Sequence, residues 1–124
     1  MGVIGASHGY NLAQEMNRKT RVVVQSDKYK RLWPDIIITT DQNTKGYFLL
    51  ESGGLRVCVG VDGAITGWHG DLILVDDPID PKGARSEADI LSANIFLKET
   101  LSTRKKNKSV TPMIVIMQRL SEKD

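Results

Sequence analysis

The four aliphatic residues Leu72-Ile73-Leu74-Val75 run without a polar break into Asp76-Asp77-Pro78. No other stretch limits the fold of this chain so sharply. A short, unbroken apolar run bounded by polar residues reads as a strand buried on both faces, which is the pattern of parallel sheets covered by helices. Pro78 has no N–H to give to a ladder, so the strand ends there. In an open α/β sheet the ligand site lies outside the carboxyl ends of the strands. The adjacent acids therefore arrive where such a sheet keeps its chemistry. Taken alone, Asp-Asp-Pro after a strand is also an ordinary polar turn.

In nucleotide-hydrolysing folds an element of this kind is the Walker B strand. Its first acid holds Mg²⁺, often through water, and its second orients and deprotonates the attacking water. On that reading Asp76 is the metal carboxylate and Asp77 the water-activating one. Successive strand residues point to opposite faces, so a regular strand does not let both carboxylates ligate one ion.

The flanking sequence supplies the rest of an α/β unit. Val3 to Ser7 is a short apolar strand entered with almost no lead, as if the chain began inside a larger protein. Asn11 to about Gln25 reads as a helix, with Leu12, Met16 and Val23 on one face and Gln14, Arg18, Lys19 and Arg21 outward. A second helical stretch, Asp27 to Trp33, is capped by Ser26 or Asp27 and stopped by Pro34. Strands over 36–40, 47–50 and 55–60, separated by the polar turn 41–46 and by Gly53-Gly54, form an antiparallel meander. Val61 to Gly70 is a glycine-rich loop feeding the acidic strand. Ser86 to Arg104 is expected to be one long helix, N-capped by Ser86, with Ile90, Leu91, Ile95, Leu97 and Leu101 as its apolar stripe. Met113 to Met117 then forms a last buried strand, followed by Gln118-Arg119. Strand, crossover helix and strand make one βαβ unit, which brings Gln118 beside Asp76 and Asp77.

Composition adds boundaries. At 124 residues, 40% hydrophobic and 26% charged, the chain has the make-up of one globular domain. A net charge of +2 is too mild to identify a nucleic-acid partner. Cys58 is the only cysteine, so no internal disulfide can form. No apolar run reaches the ~20 residues needed to span a bilayer.

A phosphate-gripping loop needs Gly-x-x-x-x-Gly-Lys-Ser/Thr between strand and helix, and neither Lys45-Gly46 nor Lys82-Gly83 has that order. Half a nucleotide site fits a segment lacking roughly the first third of its domain, judged from ordinary domain sizes.

The glycine loop and acidic strand together carry a more specific resemblance. Val59-Gly60-Val61-Asp62-Gly63-Ala64-Ile65-Thr66-Gly67, followed by Asp71 to Ile79, resembles the large terminase subunit of tailed bacteriophages, the ATP-driven motor that packages viral DNA. That family commonly shows Gly-x-Gly-x-Ile-Thr-Gly, then Ala-Asp, four apolar residues and Asp-Asp-Pro-Ile. Ala6-Ser7, Leu12-Ala13 and Tyr29-Lys30-Arg31-Leu32-Trp33-Pro34 resemble the stretch preceding the hairpins in that family, so the likeness covers nearly the whole chain.

The resemblance implies a partial RecA-like, ASCE-type P-loop ATPase core, α/β, with a mostly parallel sheet, an antiparallel meander at its edge and flanking helices. The 124 residues are then one partial domain, the Walker B and coupling-motif half. The P-loop is expected upstream and a nuclease domain downstream. ATP and Mg²⁺ are the implied cofactors, with Asp76 on the metal, Asp77 catalytic, and Gln118 in the coupling motif that senses the γ-phosphate. Double-stranded DNA, the small terminase subunit, the portal protein and a ring of like subunits are the implied partners. The implied location is the cytoplasm of a bacterial host, from a phage or prophage.

Two departures stand out. The family often has Thr-Arg where this chain has Gln118-Arg119, although glutamine still hydrogen-bonds a phosphate or water. After Thr66-Gly67 the family usually places an arginine, and here stand Trp68 and His69, neither with a permanent planar charge. Packing over the loop is the simpler reading of Trp68. A structural role is the simpler reading of His8, and a solvated helix end that of Arg104 to Lys108. A non-catalytic terminase-like remnant, or a fragment of a helicase-type P-loop motor, are the alternative readings of the chain.

Overall fold

The computed structural model describes residues 1–61, 63, 67–82 and 86–119. Asp62, Ala64, Ile65 and Thr66 of the glycine loop, Gly83 to Arg85, and Leu120 to Asp124 lie outside the described residues. One mixed sheet of six strands organises them, in the order β2-β3-β4-β1-β5-β6. The strands are β1 (Gly2–Ser7), β2 (Ile38–Asn43), β3 (Tyr47–Leu50), β4 (Leu55–Gly60), β5 (Leu72–Asp76) and β6 (Met113–Ile116). β4, β1, β5 and β6 are mutually parallel, and β2, β3 and β4 form the antiparallel meander. The first helix, α1 (Tyr10–Val24), and the short α2 (Asp27–Leu32) follow β1. The crossover α3 (Glu87–Ile95) joins β5 to β6. The fold is thus α/β, a mostly parallel sheet flanked by helices, with the acidic strand β5 beside the central β1.

Strand alternation separates two faces. Ile4, Ala6, Val57, Val59, Ile73 and Val75 point one way and meet Phe96 and Leu101 of the crossover, which together make the main core. The other face packs against α1. That helix buries Ala13 and the polar Asn17, whereas Val23, expected on its inner face, is 57% exposed. Asn17 earns its burial through hydrogen bonds: its Nδ2 donates to the Lys45 carbonyl at 2.8 Å and its Oδ1 accepts from Arg56 Nε at 2.8 Å. A buried amide costs little when both its ends are satisfied.

Three expectations need correction. β2 begins at Ile38 and runs on to Asn43, through residues read as a turn, with an irregular register against β3. Side-chain anchoring draws the polar stretch into the ladder, because Arg21 Nη1 lies 3.3 Å from both the Asn43 carbonyl and its Oδ1. The crossover is not one α-helix: Phe96–Leu101 widens to a π-helix and Ser102–Arg104 tightens to a 3₁₀ turn. Ile90, Ala93, Phe96 and Leu101 face inward, whereas Leu91 and Ile95, which α-helical spacing already turns away from Ile90, are 60% and 44% exposed. Finally, β6 is not buried. It is the edge strand, and Ile114, Val115 and Ile116 are 47%, 43% and 60% exposed.

Candidate functional site

The site is built where β1, β5 and β6 leave the sheet together. Their parallel pairing aligns Ala6 with Val75 and Asp76 with Ile116, so all three carboxyl ends lie at one edge. Val75 is buried in the core, and the alternation of β5 turns Asp76 to the other face, where it is half-buried at the end of a groove beside α1.

Asp77 lies past the strand and is exposed. Its φ of +46° makes it the one non-glycine residue in the left-handed region among the described residues. Aspartate tolerates that region better than most residues, but a following proline restricts it further. Two main-chain hydrogen bonds hold it there. Asp77 N–H donates to the Ile116 carbonyl at 2.9 Å, and the Asp77 carbonyl accepts from His8 N–H at 2.9 Å. Asp77 thus staples the exits of β6 and β1 across β5. Unusual backbone over-determined by its surroundings is characteristic of functional sites.

This geometry corrects one step of the sequence argument. Alternation along a regular strand does not govern Asp77, because the backbone turns out of the strand at that residue. The two carboxylates are therefore not forced to opposite faces.

Gln118 follows β6 by two residues, is exposed, and lies on the same sheet edge as Asp76 by register. The pairing itself ends two residues earlier, at Ile116 opposite Asp76. His8, whose backbone ties into the site, also lines a cavity of about 670 Å³ with Pro78, Ile79, Asp80, Lys82 and Asp89. The sequence held no signal for the His8 tie, since backbone N–H groups do not depend on residue type. The left-handed turn had a faint one, in an aspartate at the strand's end.

Just before β5, the described Gly67 and Trp68 serve the turn and the packing. Gly67 has a φ of +83°, which glycine alone adopts freely. The Trp68 ring sits 5.0 Å from that of Tyr47 and packs against the main core. Trp68 stands where the resemblance expects an arginine, directly after Gly67, and it packs toward the interior.

Among the described residues no cluster of three or more His, Cys, Asp or Glu side chains is placed to cage a metal. Mg²⁺ in nucleotide sites takes only one or two carboxylates and fills its octahedron with water and phosphate oxygens. Asp76 and Asp77 fit that donor set. The phosphates of a nucleotide need a backbone cradle and a lysine, and these residues contain neither motif. No helix of the described residues is long and apolar enough to cross a membrane.

Comparison with known proteins returns no matching family model, and a search of curated proteins returns no match.

Proposed function

We propose that these 124 residues are the acidic-strand half of the ATPase core of a phage terminase large subunit, a RecA-like P-loop motor that packages viral DNA. One observation carries the reading: β5 delivers Asp76 and the stapled Asp77 to the carboxyl edge of a parallel sheet, with the exit of β6 alongside. On this reading Asp76 holds Mg²⁺, which supplies charge neutralisation when nucleotide is bound. Asp77 positions the attacking water and accepts its proton. Gln118 donates its side-chain amide toward a phosphate or that water. The phosphate-gripping loop, the nuclease domain, DNA, the small subunit, the portal and a ring of subunits belong to the whole protein. The bacterial cytoplasm is its proposed location.

Two measurements test this. The 124-residue chain should show no ATP turnover, because the lysine and backbone cradle that neutralise the phosphates are missing. Robust turnover abolished by Asp77→Ala would mean the nucleotide site has been misread. In a longer chain carrying the upstream loop, Asp77→Asn should leave Mg²⁺-nucleotide binding nearly intact and slow turnover ~10²–10⁴-fold, the usual worth of a general base. Asp76→Asn should weaken binding as well. The reverse pattern would exchange the two roles.

A non-catalytic interaction module is the second reading. Trp68, committed to packing where an arginine is expected, favours it. Loss of turnover in the longer chain, with folding intact, would select it.

A further inference from the structure

A cavity of about 380 Å³ lies on the α1 side of the sheet, bounded by the end of α1 and by α2. Register builds its floor. Arg56 of β4 pairs with Val3 of β1 on one side and with Phe48 of β3 on the other, so the three side chains form a row on one face. Arg56 bonds to Asn17 of α1, which fixes that face as the one under α1. Leu50, two residues past Phe48, extends the floor, and Val24, Tyr29 and Ile36 supply the walls. Most of these side chains are only half-buried, so they keep apolar surface open to the cavity. Leu55, the first residue of β4, also lines it. The cavity therefore sits toward the amino ends of β1 and β4, whereas Asp76 and Asp77 lie at the carboxyl ends. Only Thr20 and Arg56 are shared with the groove that reaches Asp76.

Arg56 is the one charged side chain in the lining. Its guanidinium is largely withdrawn from water, and burial pulls its pKa below the usual arginine value. Nε donates to the neutral Asn17 Oδ1 at 2.8 Å. Among the described residues its terminal nitrogens make no hydrogen bond, and no carboxylate lies within ion-pair distance. A guanidinium has five N–H donors in a planar fork that matches a carboxylate. A partly desolvated cation with no counter-charge favours an occupant that brings one.

The rest of the lining limits what else the occupant can be. Thr20 gives its hydroxyl to the Met16 carbonyl, so α1 offers no free polar group to recognise a second function. The body of the ligand is then plain hydrocarbon. The volume is at the low end of small-ligand pockets, ~300–1,000 Å³. One turn of a helix, about 10 Å across and 5.4 Å tall, fills ~400 Å³ or more. The cavity thus admits a chain and excludes a docked helix.

We propose that this cavity binds a medium-chain alkyl carboxylate, its head accepting hydrogen bonds from the terminal nitrogens of Arg56 and its chain lying over Phe48 and Leu50 against Val24 and Tyr29. The inference uses nothing from the nucleotide site and stands or falls apart from it.

Calorimetric titration of the 124-residue chain with decanoate, kept below its micelle concentration, tests it. The expected result is saturable binding of one decanoate per chain. Decanol should bind at least ~10-fold more weakly, as loss of hydrogen bonds to a charged group implies, and acetate should not bind. Arg56→Met should bring decanoate down to the affinity of decanol and leave decanol unchanged. Circular dichroism checks its fold, and the decanoate–decanol comparison on the unaltered chain decides the head-group role if that variant unfolds. Val24→Trp fills the cavity and should abolish binding of both. Amide resonances that shift with decanoate should fall on Phe48 to Leu50, on Leu55 and Arg56 and on the end of α1. No saturable binding, decanol binding as tightly as decanoate, or undiminished binding to a folded Arg56→Met chain overturns the proposal. Shifts centred instead on Leu74 and Ile116 overturn it too. So does uptake of an acidic, leucine-rich peptide by a chain that ignores decanoate, which would make the site one for a protein partner.

Discussion

β5 and β6 are neighbouring parallel strands of nearly the same chemistry, Leu72-Ile73-Leu74-Val75 against Met113-Ile114-Val115-Ile116. Their fates differ. Val75 is 1% exposed, whereas Val115, its register partner on the same face of the sheet, is 43% exposed. The difference comes from neighbours. β5 has β1 on one side and β6 on the other, with the crossover helix over its core face. β6 has a strand on one side only. Apolar composition states what a strand can bury, and position in the sheet decides what it does bury.

The sharpest test of this contrast is truncation at matched chemistry. Val75→Ala should cost ~1.5–4 kcal/mol of unfolding free energy, two buried methyl groups plus the cavity they leave. Val115→Ala should stay within about 0.5 kcal/mol, as at surface sites. Denaturant titration of both variants decides it, and equal losses would mean that β6 is as well packed as β5.

A smaller effect is expected from the polar tie on the α1 side. Asn17→Ala strands the Lys45 carbonyl and removes the neutral partner of Arg56, at about 1–3 kcal/mol for a buried group left unsatisfied. Exchange of backbone amides in β2 and β3 should quicken before that in β1 and β5. Uniform quickening would show that the tie supports the whole sheet rather than its meander half.

Smaller again is a pH effect from the same half. Burial is the main influence on Cys58 and raises its thiol pKa, outweighing contacts with Tyr10 and Arg56 that lower it. A group whose folded pKa lies above its unfolded value contributes fully below the unfolded value, ~8.5 for cysteine, and loses that contribution as pH rises toward the folded one. Stability should therefore decline from about pH 8 upward, and Cys58→Ala should flatten the decline. A slope unchanged in the variant would assign it to other groups. Asp71 works in the opposite sense at the far edge. Chiefly the Gly2 N–H at 2.7 Å, and then Lys106, hold its carboxyl below the usual range. Its contribution is present above the unfolded pKa and fades as pH falls through the folded one.

The smallest stability change should come from Ile116→Thr, within about 0.5 kcal/mol. Denaturant titration checks it, and a clearly larger loss would mean that the edge strand is packed against a neighbour.

Much of the parallel half was legible in advance. The unbroken run Leu72 to Val75 and the stop at Pro78 define β5 whatever surrounds them, because period and backbone chemistry are local. Ser26 and Ser86 each accept the hydrogen bond expected of an N-cap, from Tyr29 N–H and Asp89 N–H. Less was legible where partners distant in sequence decide. Asn17 looks like a solvent-facing helix residue until Arg56 and Lys45 arrive. Asp41 to Asn43 look like a turn until the ladder and Arg21 hold them extended.

The candidate site divides the same way. From sequence alone come two carboxylates at a strand's end, a glycine loop ahead of them and a βαβ unit that returns a polar residue to their side. These follow from residue order and strand geometry. Only the tertiary structure turned Asp77 out of the strand, by pinning its N–H to Ile116 and its carbonyl to His8. Only the strand order left β6 at the edge. Backbone hydrogen bonds are blind to side-chain identity, and burial depends on which elements meet. Neither is written in the residues that undergo it.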